Sequence, residues 1–146
     1  MPSTDQNATA MNQLSYRFLP TPLLIGIPEV DAQHDDLFRR LVVLKGICLS
    51  EGRLPQAEAD ALLAALAVHY ATEEQVAAAI GMDFAGHARA HREMLQMLTK
   101  SLNEVVDGRA DVFSTLRYIE YWFERHIAQE DVHLGACLAQ GGGTAQ

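Results

Sequence analysis

The stretch HYATEEQVAAAIGMDFAGHARAH, from His69 to His91, decides how the chain folds. His69 and Glu73 are four positions apart, and so are His87 and His91, so each pair lies on one helix face and can point at a single centre. Gly81-Met82-Asp83 lies between the pairs and is the natural break in a helix-forming run. The pattern predicts a helical hairpin whose two arms carry facing polar pairs.

Composition restricts the classes of partner. The chain has 146 residues, of which 49% are hydrophobic, which is enough for one domain with a real core. A formal net charge of -8 argues against binding to nucleic acid or to an anionic membrane, because both need a basic patch. No basic start followed by an apolar run is evident, and no stretch approaches the roughly 18 apolar residues of a membrane span. We therefore expect a cytoplasmic protein.

The two cysteines have no spacing typical of a metal or redox motif. Cys48 and Cys137 both fall inside helical patterns and form no CxxC pair. We interpret them as small core residues in a reducing compartment, and a disulfide between them is the less favoured alternative.

Helical periodicity organises the rest of the chain. Residues 1–13 are expected to be disordered, an apolar arm with prolines to precede the first helix, and residues 140–146 to form a flexible tail. Helices are predicted from Pro28 to about Ser50, from Pro55 to about Ile80, from near Asp83 to about Val105, and from near Asp111 to about Leu138. Short connections between them predict an all-α, up-down-up-down antiparallel four-helix bundle over residues 14–139.

Every predicted helix carries at least one histidine on its apolar stripe. These histidines are His34, His69, His87, His91 and His126. One core histidine is more often a packing residue than a ligand. An apolar core, however, can hardly supply uncharged hydrogen-bond partners for five imidazoles and a buried Glu73. Imidazole and carboxylate without thiolate favour iron, manganese or zinc over copper(I) or an iron-sulfur cluster. The number of ligands exceeds the needs of one tetrahedral zinc and predicts a dinuclear site.

Together these motifs resemble a known family. The sequence IPEVDAQHDDLF begins at Ile27, HxxxE begins at His69, HxxxH begins at His87, and WFERHIxxxD runs from Trp122 to Asp131. This set is similar to the hemerythrin family in its bacterial form, across about residues 16–138. A single HxxxH would be weak support, whereas the whole set in order is specific.

The resemblance implies a non-haem di-iron centre that binds O2 reversibly. By that likeness His87, His91 and His126 would hold one iron, and His34 and His69 would hold the other. Glu73 and Asp131 would bridge the two irons. The two-histidine iron would then have an open position for O2. Four leucines are candidates for an apolar lining that keeps this position dry: Leu37, Leu66, Leu98 and Leu102.

At one position spacing and resemblance disagree. On an ideal α-helix the partner of His126 is Glu130, whereas Asp131 lies about 140° around the helix at 100° per residue. Spacing alone favours Glu130. The family pattern is His-x-x-x-x-Asp, so we follow the resemblance and predict Asp131 as the bridging carboxylate.

Three classes of function fit this sequence. The first is an O2-binding protein that carries, stores or senses O2, and that is not an enzyme. The second is a di-iron redox enzyme or sensor that handles peroxide or nitric oxide, and the third is iron storage or a bundle in which the metal is structural. A sensor needs a signalling partner or an output domain, and the 146 residues contain no second domain, which favours O2 binding or storage. We expect a monomer, because the acidic surface offers no clear interface.

Overall fold

The computed structural model describes residues 16–141, and this part of the chain is helical without any β-strand. A 3₁₀ turn is followed by four long helical arms, which are α1 (Pro28–Glu51), α2 (Gln56–Ala79), α3 (Ala85–Val106) and a composite fourth arm. The fourth arm consists of α4 (Val112–His126), a π-helical turn (Ile127–Asp131) and α5 (Val132–Ala139). The segments predicted to be disordered or flexible, residues 1–13 and most of 140–146, lie outside the described residues.

Local sequence explains where the arms begin and end. Pro28 occupies the first turn of α1, where a missing N–H costs nothing, and acidic Glu29 favours the positive end of the helix dipole. The helix ends at Gly52, whose φ of 75° belongs to the left-handed region that glycine adopts most readily. The side chain of Asp111 accepts a hydrogen bond of 2.8 Å from the amide of Ser114 and so caps α4.

The four arms form the predicted bundle. α1 packs against α2 and α4, and α3 packs against the same two helices, so each arm has two neighbours around a common core. The core contains fully buried aliphatic side chains from three arms, including Leu62, Leu66, Leu98, Leu102 and Ile119. The predicted all-α four-helix bundle is therefore confirmed. Within residues 16–141, no helix combines the length and apolar character that a membrane crossing requires.

An N-terminal arm crosses one end of the bundle and is fastened to α1 by two carboxylates. Asp35 Oδ1 accepts a hydrogen bond of 2.9 Å from the amide of Leu19, which is itself buried. Asp31 accepts hydrogen bonds of 2.9 and 3.1 Å from the amides of Ile25 and Gly26. Hydrogen bonds to a charged acceptor are stronger than neutral ones, so the arm is held firmly across the start of α1.

The cysteines are separate and unpaired with each other. Cys48 is buried in the core, as predicted, whereas Cys137 on α5 is only half-buried, and both are free thiols. The prediction of a core position was therefore wrong for Cys137, because α5 turns that position partly towards solvent.

Candidate metal centre

Seven polar side chains from all four arms meet inside the bundle. They are His34 from α1, His69 and Glu73 from α2, His87 and His91 from α3, His126 from α4, and Asp131 from the π-helical turn. Six of them are at most 5% exposed, and only His87 reaches 11% at its side chain. The structure thus brings together every residue predicted for the metal site.

The seven side chains form two groups that share two members. One group contains His87, His91 and His126, the other contains His34 and His69, and Glu73 and Asp131 belong to both. Within each group, one potential ligand atom of every residue lies within 4.8 Å of those of the others. This division coincides with the one that the family resemblance implies.

Each shared carboxylate directs one oxygen at each group. Glu73 Oε1 lies 2.9 Å from His91 Nε2, while Glu73 Oε2 lies 3.3 Å from His69 Nε2. Asp131 Oδ1 lies 3.1 Å from His126 Nε2, while Asp131 Oδ2 lies 3.1 Å from His34 Nε2. A carboxylate in this orientation can bind a separate cation with each oxygen. The geometry therefore suits two metal ions bridged by two carboxylates.

The π-helical turn explains how Asp131 reaches the cluster. A π-helix has i→i+5 hydrogen bonds, so it holds more residues per turn than an α-helix and places residue i+5 beneath residue i. Asp131 therefore lies under His126 and is fully buried. Glu130, which spacing alone would have chosen, lies outside both groups, and its side chain is 42% exposed. Its Oε2 lies 2.9 Å from His126 Nδ1, behind the imidazole.

Buried polar atoms without hydrogen bonds indicate that the cluster suits a metal. His34 Nε2, His91 Nε2 and both oxygens of Glu73 and Asp131 are inaccessible to solvent, and none makes a hydrogen bond of acceptable geometry. The closest contacts among these nitrogen and oxygen atoms are 2.9 to 3.5 Å long. Burial of such atoms without partners is costly. Imidazole and carboxylate donors without sulfur fit iron, manganese or zinc.

Charge in the centre reinforces this conclusion. Burial disfavours the protonated form of His34, but its contacts with Asp131 and Glu73 outweigh burial and raise its pKa to about 9. Burial alone would raise the pKa values of the two carboxyls, yet the surrounding imidazoles lower the pKa of both. Burial lowers the pKa of His69. Two buried carboxylates therefore remain anionic and need cations beside them, and a bound metal ion would displace the protons from the imidazoles.

Gln33 fixes the orientation of His69. Its Oε1 lies 2.8 Å from His69 Nδ1, and its Nε2 donates a hydrogen bond of 3.0 Å to Thr72 Oγ1. The amide orientation makes Oε1 an acceptor, so His69 carries its proton on Nδ1 and leaves Nε2 free to face the cluster. No role for Gln33 was predicted from the sequence. Although Gln33 directly precedes His34, it acts on a histidine of another helix, and no spacing rule relates the two.

Replacing Gln33 by leucine is expected to weaken metal binding without removing a ligand. The leucine retains most of the volume but cannot accept the Nδ1 proton of His69, and loss of such a partner lowers metal affinity by about 10- to 100-fold. Competition with a chelator measures the change. Gln75→Leu is the control, because Gln75 is exposed on the same helix as His69. Equal affinities in the two variants would contradict the assigned role.

Aromatic rings support two of the other imidazoles. Tyr70 stacks on His91 with ring centroids 3.8 Å apart and planes 10° apart, and Phe84 stacks on His87 at 4.1 Å and 25°. The hydroxyl of Tyr70 donates to the sulfur of Met94 at 2.7 Å, so it points away from the carboxylates. Neither aromatic was predicted at the site. The contact of Tyr70 with His91 depends on how α2 and α3 pack, whereas Phe84 lies three residues before His87 at the start of α3, so helical spacing could have indicated it.

A small internal cavity adjoins the two-histidine group. It is lined by His34, His69, Tyr70, His126, Asp131 and five apolar side chains, Leu37, Phe38, Leu66, Phe123 and Ile127, all of which are buried. Its volume of about 10 Å³ is close to the least that one water-sized molecule needs. Of the four leucines predicted as lining, Leu37 and Leu66 line it. Leu98 and Leu102 are core residues further along α3 and do not line it.

A four-helix bundle whose every arm contributes an imidazole or a carboxylate to one buried cluster is a metal-binding bundle. The chain matches the family model described as the hemerythrin HHE cation-binding domain over residues 25–138, well over half of its length. It therefore belongs to the hemerythrin family. Comparisons with curated proteins and with solved structures found no match.

Proposed function

We propose that this protein binds O2 reversibly at a non-haem di-iron centre. One iron would be held by His87, His91 and His126, the other by His34 and His69, and Glu73 and Asp131 would bridge them. The observation that carries the proposal is the orientation of the carboxylates, each of which directs one oxygen at each group. Two ferrous ions held in this arrangement would supply the two electrons that O2 takes up when it binds.

Iron is favoured by the donor set and by the family. Five imidazole nitrogens and two carboxylates provide more ligands than one tetrahedral zinc uses, and they suit two ions of higher coordination number. The two ions would have unequal protein ligands, since the group with three histidines is larger than the group with two. An open position for O2 is therefore expected on the side of His34 and His69.

The internal cavity supports O2 as the ligand. It contacts His34 and His69, and its other walls are mainly apolar. An apolar wall favours a small uncharged molecule over water and holds water away from the open position. Exclusion of water favours release of O2 over irreversible oxidation of the iron.

The surroundings also favour binding over turnover. Reduction of peroxide or nitric oxide needs a proton donor at the open position. Tyr70 is the hydroxyl side chain among the cavity residues, but it donates to Met94 Sδ. Burial raises the pKa of Tyr70, with the nearby carboxylates adding to the effect, so it gives up a proton reluctantly. This arrangement favours an O2 carrier, store or sensor over a di-iron redox enzyme.

The test is metal analysis combined with optical spectra of the anaerobically reduced protein before and after exposure to air. We expect one iron for each of the two ligand groups, a colourless reduced form, and visible charge-transfer bands that fade when O2 is removed. Direct conversion to the ferric form would favour a redox enzyme or a sensor of oxidation. Zinc, or fewer irons than ligand groups, would overturn the di-iron centre.

A further inference from the structure

The two sides of the metal centre differ in what separates them from solvent. The side of His34 and His69 adjoins the buried, mainly apolar cavity. On the opposite side, a surface depression of about 350 Å³ reaches one member of the cluster. It is lined by Met82, Gly86, His87, Glu130 and His133, none of which is buried. This depression is called the His87 mouth.

A hydrated cation and an uncharged gas need different routes into a protein. A ferrous ion loses its water ligands only where protein ligands replace them, and transfer of an unpaired charge through an apolar wall is prohibitive. The cavity beside His34 offers such a wall, whereas the His87 mouth carries the carboxylate of Glu130 and the imidazole of His133. His87 is also the most exposed member of the cluster, at 11% of its side chain.

We propose that ferrous ions load into the centre through the His87 mouth, with Glu130 and His133 as transient ligands that pass them to His87. The inference rests on the proposed iron centre and adds the path by which it is filled. Glu130 suits this role because its side chain is 42% exposed while its Oε2 lies 2.9 Å from His126 Nδ1, so it extends from solvent to the edge of the cluster. The net charge of -8 attracts cations to the surface.

The His87 mouth can pass a metal ion on but cannot retain it. Across residues 16–141, three or more ligand atoms converge only in the two buried groups, which include neither Glu130 nor His133. An ion at the mouth therefore has too few ligands to remain there. Gly86 lines the mouth without a side chain, and a Cβ added at this helical position meets nothing within 4 Å. A larger side chain there would fold without strain and narrow the opening.

The experiment measures anaerobic uptake of Co²⁺ by the metal-free full chain in a stopped-flow spectrometer. Co²⁺ accepts the same nitrogen and oxygen donors and reports its own binding by visible absorption. We expect Gly86→Leu and the double variant Glu130→Gln with His133→Ala each to slow uptake by about tenfold, through steric closure and through loss of cation attraction respectively. Glu130→Gln keeps a side chain of the same size beside His126 Nδ1, which preserves the surroundings of that ring. Gly46→Leu is the control, because Gly46 is also a helical glycine with open space around it.

Each outcome has a definite meaning. Slower uptake in the mouth variants and unchanged uptake in Gly46→Leu would support the proposal. Uptake as fast as in the unmodified chain in both mouth variants would overturn it. Co²⁺ reports loading whether or not O2 binds, so a chain that loads normally but does not bind O2 reversibly would contradict the proposed function alone. A chain that takes up no metal would overturn both.

Discussion

The variant Asp131→Ala is expected to lose the optical spectrum of the proposed di-iron centre. Asp131 contacts imidazoles of both groups, through Oδ2 to His34 and through Oδ1 to His87 and His126, at 2.9 to 3.1 Å. Alanine would remove a ligand from each of the two proposed irons at once. Loss of an outer partner alone costs about 10- to 100-fold in metal affinity, so loss of a shared ligand should exceed about 100-fold. Iron analysis after gel filtration and anaerobic spectroscopy measure the loss.

The matched control is Glu130→Ala, at the position that α-helical spacing would have chosen. Glu130 lies behind His126 and outside both groups, so this variant should retain both irons and their spectrum, with an affinity lower by about tenfold. Circular dichroism of the metal-free variants distinguishes loss of iron from loss of the fold. Retention of the spectrum by Asp131→Ala and its loss in Glu130→Ala would show that the bridging carboxylate had been assigned to the wrong residue.

The fold could be predicted from sequence because its signals are local and repeated. Apolar stripes at spacings of three and four, and a break such as the one at Gly81, predicted each arm to within a few residues. The first residues of the helices were predicted less accurately. Pro55 was predicted to begin the second helix, and it instead precedes Gln56, the first residue of α2. Helix ends depend on capping hydrogen bonds as well as on periodicity.

Spacing could not by itself identify every residue of the cluster. His69 with Glu73 and His87 with His91 share helix faces at intervals of four, so the α-helix period predicts that they converge. His126 and Asp131 converge only because the backbone adopts a π-helical turn between them. The hydrogen-bond geometry of a π-helical turn is less favourable than that of an α-helix, and the turn is maintained by the packing around it. No local propensity therefore predicts it. The family resemblance supplied what the periodicity could not.

Contacts between helices were the least predictable. Gln33 and His69 are 36 positions apart and meet because α1 and α2 pack side by side. Leu66 lines the cavity and Leu98 does not, although both are buried leucines on apolar stripes. Distance along the helix axis separates them, since Leu98 lies about 10 Å beyond His91 at 1.5 Å per residue. Periodicity predicts which face of a helix is buried, but not the position along the helix axis at which a side chain contacts a neighbouring helix.

The same limit applies to the contact between the N-terminal arm and the fourth helical arm. Gly135 is a buried position of α5, where the backbone of Ile25 crosses the helix. Ile25 and Gly26 are in turn held by the carboxylate of Asp31, one turn before His34 on α1. The absence of a side chain at Gly135 therefore lets the arm lie flat across the end of the bundle that carries the metal centre.

Substitution of Gly135 by alanine is accordingly expected to destabilise the fold by about 1–3 kcal/mol, the usual cost of overpacking a filled site. Its Cβ would overlap the carbonyl oxygen of Ile25, which is backbone and cannot rotate away, so the arm must move and strain its hydrogen bonds to Asp31. Gly46→Ala is the control, because Gly46 is a helical glycine with open space around it, and alanine there should stabilise by about 0.5–1 kcal/mol. Denaturant unfolding of the metal-free chain measures both changes. If Gly135→Ala lowers the free energy of unfolding while Gly46→Ala raises it, the close crossing of the arm explains why position 135 needs glycine. If both substitutions stabilise the chain, that crossing is contradicted.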